Sequence, residues 1–271
     1  MKVRAITGFF FVVIMLGSFL LGHIIFSIFF LLLSLFCLWE FFGLLKQAGI
    51  HPVTDAGFVN ALYIFGIFAL IPFDGDARIY HQLLFLMPVM LTGIFIRELF
   101  KKNAAPFTNI AYTYFGLIFT VVPFTFFHAL AFVNGTYSYH FPLGFLLMLW
   151  ANDTGAYLVG SRFGRVKLFE RHSPKKTWEG FIGGIIITAG AALAISEYYT
   201  ELPYEHWLWM GLLISTFGTI GDLCESMFKR SINVKDSGGI LPGHGGLLDR
   251  FDGLLMAAPV VYAYLYFITN V

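Results

Sequence analysis

Residues 226–252, SMFKRSINVKDSGGILPGHGGLLDRFD, place four Lys or Arg, three Asp, one His and five Gly within 27 positions. The chain around them is mostly runs of Phe, Leu, Ile and Val. Ionisable groups are costly near a bilayer, and those that are kept there usually serve function. Glycines clustered between basic residues let backbone N–H groups approach phosphate oxygens closely. Acids beside them suit a divalent cation, which prefers oxygen ligands and phosphate company. The residue types alone therefore point to a membrane-embedded enzyme that handles phosphates.

Two polar clusters would carry that chemistry. In the second of them along the chain, Asp222, Ser226 and Lys229 are spaced i, i+4 and i+7, so a helix puts them on one face with Glu225 at its edge. That face leads to Lys229-Arg230, then to the glycine-rich loop, then to Asp249, Arg250 and Asp252 at the start of the last apolar run. Singly, each has an ordinary explanation: acids at a helix N-terminus complement its dipole by about 0.3–1 kcal/mol, and Arg250 could pair with Asp252. Their convergence within some thirty positions favours a site. The first cluster runs from Asp153 to Gly180. An unpaired carboxylate such as Asp153 in an apolar helix costs ~2.5–3.5 kcal/mol on insertion scales, so it must find a helix partner, an Arg or a cavity. Gly155, Ala156, Gly160 and Ser161 would allow close helix packing. Ser173-Pro174-Lys175-Lys176-Thr177 then leads into the next span, with Glu179 at its start. The lysine pair reads equally well as a topology or headgroup signal and as a triphosphate grip.

The elements that must hold these clusters are membrane helices. Hydrophobic residues are 58% of the 271, aromatics 19% (33 of them Phe) and charged residues 12%. Soluble domains carry roughly 25% charged residues. Nine spans are expected, near 5–21, 24–45, 57–73, 80–97, 107–131, 140–160, 180–198, 206–228 and 251–269. Residues 5–39 and 103–152 lack Asp, Glu, Lys and Arg and are each too long for one span, so Gly22-His23 and Asn134-Gly135 are the expected turns. The N-terminal MKVR and its apolar run imitate a signal peptide, but no small-residue cleavage site follows, and a retained helix is expected. Cys37 and Cys224 form no disulfide framework. No repeat or linker divides the chain, so the expected fold is all-α: one polytopic membrane domain over 1–271, with motif-free helices in 1–140 and the catalytic part in 141–271. A net charge of +1 without a basic arm gives no sign of a nucleic-acid partner.

The signature residues resemble a known family. Ser226, a hydrophobic residue, Lys229-Arg230, four residues, Lys235-Asp236, Gly238, Leu241-Pro242, His244-Gly245-Gly246, Asp249-Arg250, a hydrophobic residue and Asp252 match the pattern of phosphatidate cytidylyltransferases at every defined position. Gly221-Asp222 and SPKKTWEG at 173–180 are also similar to that family's segments. The resemblance implies transfer of CMP from CTP to phosphatidic acid, giving CDP-diacylglycerol and pyrophosphate. It implies Asp222 and Asp249 as Mg²⁺ ligands, with K⁺ an alternative second cation, and catalytic roles for these two together with Lys229 and Arg230. Lys175, Lys176, Ser226, Lys235, His244, Gly245, Gly246 and Arg250 become substrate-binding candidates. Expected partners are the two substrates and membrane lipids, with a homodimer open. The expected location is a bacterial cytoplasmic (inner) membrane. Two rival readings are a CTP-dependent lipid kinase or related cytidylyltransferase, and a cation transporter using Asp153 and Asp222. The transporter fits less well, because transporter sites lie at the midplane between repeats.

With the N-terminus cytoplasmic, nine spans put 16 of the 17 Lys and Arg inside and leave only Arg78 outside. Cysteines introduced at Asn134 and Asn270 are therefore expected to react with an impermeant maleimide from the outer face. Labelling of either only from the cytoplasmic side would overturn this topology.

Overall fold

The structure, a computed structural model, describes residues 2–70, 77–234, 237–238 and 245–269. Its helices are α1 (Lys2–Leu20), α2 (His23–Gln47), α3 (Thr54–Leu70), α4 (Ala77–Leu99), α5 (Pro106–Gly116), α6 (Val122–Leu130), α7 (His140–Phe163), α8 (Trp178–Tyr198), α9 (Tyr204–Ser231) and α10 (Leu248–Thr269). A π-helical turn over Leu117–Val121 joins α5 to α6, making one continuous rod of the fifth expected span. Two short strands, β1 (Lys167–Phe169) and β2 (Ser173–Thr177), pair antiparallel between α7 and α8. This ribbon is an addition to the all-α expectation.

Each expected span coincides with one helical segment. Among the described residues, six segments are long and apolar enough to cross a membrane: His23–Gln47, His81–Leu99, Pro106–Leu130, Trp178–Tyr198, Tyr204–Ser231 and Leu248–Thr269. Ile6–Leu20 and Thr54–Leu70 are shorter apolar helices. Helix α7 has 24 residues but carries Asn152, Asp153 and Arg162. The breaks fall where the sequence expects them, for a conformational reason. Gly22 at φ 95° and Gly135 at φ 78° occupy the left-handed region that side chains disfavour. Large apolar side chains such as Phe9, Phe85, Phe107 and Phe267 stand exposed, as they can where the solvent is lipid. The protein is an all-α polytopic membrane protein.

The chain clusters into two units, Met1–Tyr137 with Ile232–Asp249, and Ser138–Ser231 with Arg250–Val271. The first is built on aromatic packing. Phe26, Phe30 and Phe127 pack in sequence as tilted rings with centroids 4.8 Å apart, and Phe26 stacks on the buried His128 ring at 5.5 Å. At one end of this unit the buried Glu98 accepts hydrogen bonds from Asn103 and Asn109, each 2.7 Å long. Asn109 in turn accepts from the His51 backbone at 3.1 Å, which ties the α2–α3 connection to α5.

The second unit is built on close approach. Gly155 of α7 faces Ile187, Gly183 of α8 faces Val159, and Gly160 lies against Gly180. Small residues let helix backbones meet where lipid offers no hydrophobic drive to association. A methyl group added at Gly183 would stand 2.5 Å from the Val159 Cβ, whereas one added at Gly190 of the same helix would meet nothing within 4 Å. Gly183→Ala is therefore expected to destabilise the protein by about 1–3 kcal/mol through overpacking. Gly190→Ala should be neutral or stabilising by up to about 1 kcal/mol. Thermal unfolding of both variants in detergent checks the contrast, and equal melting temperatures would refute it.

Candidate active site

The ribbon and three helices of the second unit bring its acids together. The Asp222 Oδ1 accepts a 3.3 Å hydrogen bond from the Ser226 hydroxyl, so the i, i+4 face expected on α9 exists. The Lys176 Nζ lies 2.6 Å from the other Asp222 oxygen, Oδ2. Asp153 from α7 and Asp252 from α10 both interact electrostatically with Asp222 and with Lys176. Three carboxylates thus share the field of one ammonium group.

Local structure explains why these groups meet. Successive side chains on a strand point to opposite faces. On β2, Lys175 is accordingly exposed while Lys176 turns to Asp222 with its side chain only 27% accessible. The ribbon is fixed at its base by three contacts. The Trp178 N–H donates to the Val166 carbonyl at 3.0 Å. Glu179 accepts from the backbone N–H groups of Arg165 and Val166. The Thr177 hydroxyl oxygen caps α8 by accepting from the Gly180 N–H at 3.2 Å. On the opposite side, Gly221 lies directly against the Asp252 carbonyl, leaving no room for a Cβ, and Gly218 packs on Gly253. The glycine preceding Asp222 is what lets α10 bring Asp252 near.

Lys229 is paired one turn along its own helix. Its Nζ is 2.9 Å from the Glu225 Oε2, and both side chains are buried, Glu225 at 1% exposure. Glu225, expected at the edge of the polar face, thus holds a residue of that face. Arg230 and Arg250 are exposed at the surface.

In the first unit, the Asp249 Oδ2 accepts a 3.2 Å hydrogen bond from the Ser237 N–H. Gly245 takes φ 88°, and the Ser237 hydroxyl fills the space that a side chain on Gly246 would need. These two glycines are thus required by the loop's shape. Lys235 and His244 lie outside the described residues.

Among the described residues no three His, Cys, Asp or Glu side chains form a ready-made metal cage. Mg²⁺ does not need one, because it keeps several waters and typically binds through one or two carboxylates plus substrate phosphates. The carboxylate-rich cluster around Asp222, with a single lysine against it, has the oxygen donors to fit such an ion. Asp153 and Asp252 belong to the two polar clusters of the sequence but are not among the residues expected there to bind metal or substrate. Their signals were, respectively, an acid inside an apolar helix and the last residue of the signature.

Membrane helices that converge carboxylates, a hydroxyl and an ammonium group define a membrane enzyme acting on anionic substrates. The chain matches the cytidylyltransferase family over residues 2–268. It is 34% identical over 263 residues to a phosphatidate cytidylyltransferase of Staphylococcus aureus (strain COL), across 96% of this chain and 97% of that protein. It is 32% identical over 271 residues to a phosphatidate cytidylyltransferase of Bacillus subtilis (strain 168), across 97% of this chain and 96% of that one. The chain belongs to the cytidylyltransferase family.

The geometry separates the two lysines that the sequence leaves equivalent. Loss of a charge-assisted contact typically costs about 1.5–3 kcal/mol, or about 10- to 150-fold in rate or binding. Lys176→Ala is expected to lower kcat/KM for cytidylyl transfer by at least about tenfold, and Lys175→Ala by much less. Equal effects of the two substitutions in correctly inserted protein would show that the Lys176–Asp222 pair is incidental.

Proposed function

We propose that the protein is a phosphatidate cytidylyltransferase, joining the phosphate of phosphatidate to the cytidylyl group of CTP. A phosphatidate oxygen forms a bond to the α-phosphorus, the α–β bridging P–O bond breaks, and pyrophosphate leaves with that bonding pair. The products are CDP-diacylglycerol and pyrophosphate. The observation that carries this reading is the Lys176–Asp222 pair among Asp153 and Asp252, in a chain similar along nearly its whole length to proteins of that name.

The reaction needs no protein nucleophile, because the lipid phosphate is itself largely dianionic at neutral pH (second pKa about 6). What it needs is relief of repulsion between two anions and their alignment in line. Lys176 would supply one charge to an incoming phosphate, at the cost of its contact with Asp222. Lys229, held by Glu225, and Arg230 and Arg250 would supply others. Asp222 and Asp249 are each proposed as carboxylates for Mg²⁺, which when bound would offset the charge of the triphosphate. Ser226, hydrogen-bonded to Asp222, would hold that carboxylate in orientation. The site opens, on this reading, to the cytoplasm of a bacterial cell: the relatives are bacterial, and the Lys and Arg of the sequence gather on the side of the N-terminus.

Purified protein supplied with CTP, phosphatidate and Mg²⁺, with and without K⁺, is expected to form CDP-diacylglycerol and to stop when the divalent ion is chelated. Absence of lipid-linked CMP under every metal condition would end this reading. Asp222→Asn and Asp249→Asn should each reduce turnover by orders of magnitude while leaving the melting temperature nearly unchanged, since the amide keeps the shape but lacks the charge a hard cation needs. A lower melting temperature with near-normal specific activity would instead make Asp249 a helix-capping residue.

A further inference from the structure

The first 140 residues carry no part of the signature, yet Glu40 of α2 reaches it. Its side chain is buried at 4% exposure, and its Oε2 accepts a 2.8 Å hydrogen bond from the backbone N–H of Leu248, the first residue of α10. Its Oε1 lies where a Cβ on Gly238 would approach within 2.5 Å, so the carboxylate occupies the space beside that glycine. One carboxylate therefore touches the glycine-rich loop near its start and again at its end. The adjoining contacts reinforce this anchor: the Ser237 N–H donates to Asp249, and the Ser237 hydroxyl packs into the space beside Gly246.

A burial this complete has a reason. The first N–H groups of a helix lack intrahelical acceptors and carry positive partial charge, so an acid there satisfies a donor and complements the dipole. Leu248 is immediately followed by Asp249, and fixing the Leu248 amide fixes the first turn on which Asp249 rides. We infer that Glu40 is a positioning residue for the reaction, fixing the Leu248 amide and with it the orientation of Asp249. The inference rests on the proposed function only in taking Asp249 as a working carboxylate.

The test uses the full-length protein in lipid nanodiscs containing phosphatidate, with Glu40→Gln, Glu40→Asp and Glu40→Ala. Glu40→Gln keeps the volume and one acceptor but removes the charge. It is expected to lower kcat/KM for CTP by at least about tenfold, to raise the Mg²⁺ concentration giving half-maximal rate, and to leave the melting temperature close to that of the parent. Glu40→Asp, one methylene shorter, should restore little of the lost rate. In Glu40→Ala, hydrogen exchange in the 237–249 peptide should quicken while remote helices exchange as before. A Glu40→Gln protein with unchanged kcat, KM and Mg²⁺ dependence would overturn the inference, whether or not its melting temperature fell. Should the parent make no CDP-diacylglycerol at all, the proposed function falls, and the exchange measurement alone decides whether Glu40 anchors the first turn of α10. Unaltered exchange in Glu40→Ala would show that it does not.

Discussion

The ion pair between Lys176 and Asp222 is the contact on which the polar centre of the second unit depends. Acids set near one another in an apolar helical setting disfavour each other's charged form, and a cation nearby offsets that cost. A helix could not easily deliver that cation, since the acids already come from the faces of α7, α9 and α10. The chain instead inserts a short antiparallel ribbon between α7 and α8, whose alternation turns one lysine inward and leaves its neighbour outside. The carboxylate oxygens that remain are donors of the kind a hard cation takes.

A second constraint is distance. Charged groups act on one another in this cluster only because their helices come unusually close, and the closeness rests on glycine. Gly221 and Gly218 let α9 meet α10, while Gly155, Gly160, Gly180 and Gly183 do the same for α7 and α8. The first unit solves packing by the opposite means, filling its interior with interlocking phenyl rings. Aromatic bulk makes a firm scaffold but holds backbones apart.

Much of this protein is readable from its sequence. The nine helical segments, the turns at Gly22 and Gly135, and the shared face of Asp222 and Ser226 all follow from hydropathy, glycine conformation and helical period. These are local properties, set by residues within a turn or two of each other, and the signature at 226–252 was legible for the same reason.

The tertiary structure decided what local rules leave open. Lys175 and Lys176 are indistinguishable until a strand assigns them to opposite faces. Glu225 had no evident role until burial paired it with Lys229. Asp153 and Asp252, about a hundred residues apart, joined Asp222 only through helix packing. Glu40 and Leu248 are separated by 208 positions, and nothing near Glu40 in the chain hints at the amide it accepts from. Electrostatic and hydrogen-bond partnerships depend on separation in space, and the chain sets those separations only once its helices have packed.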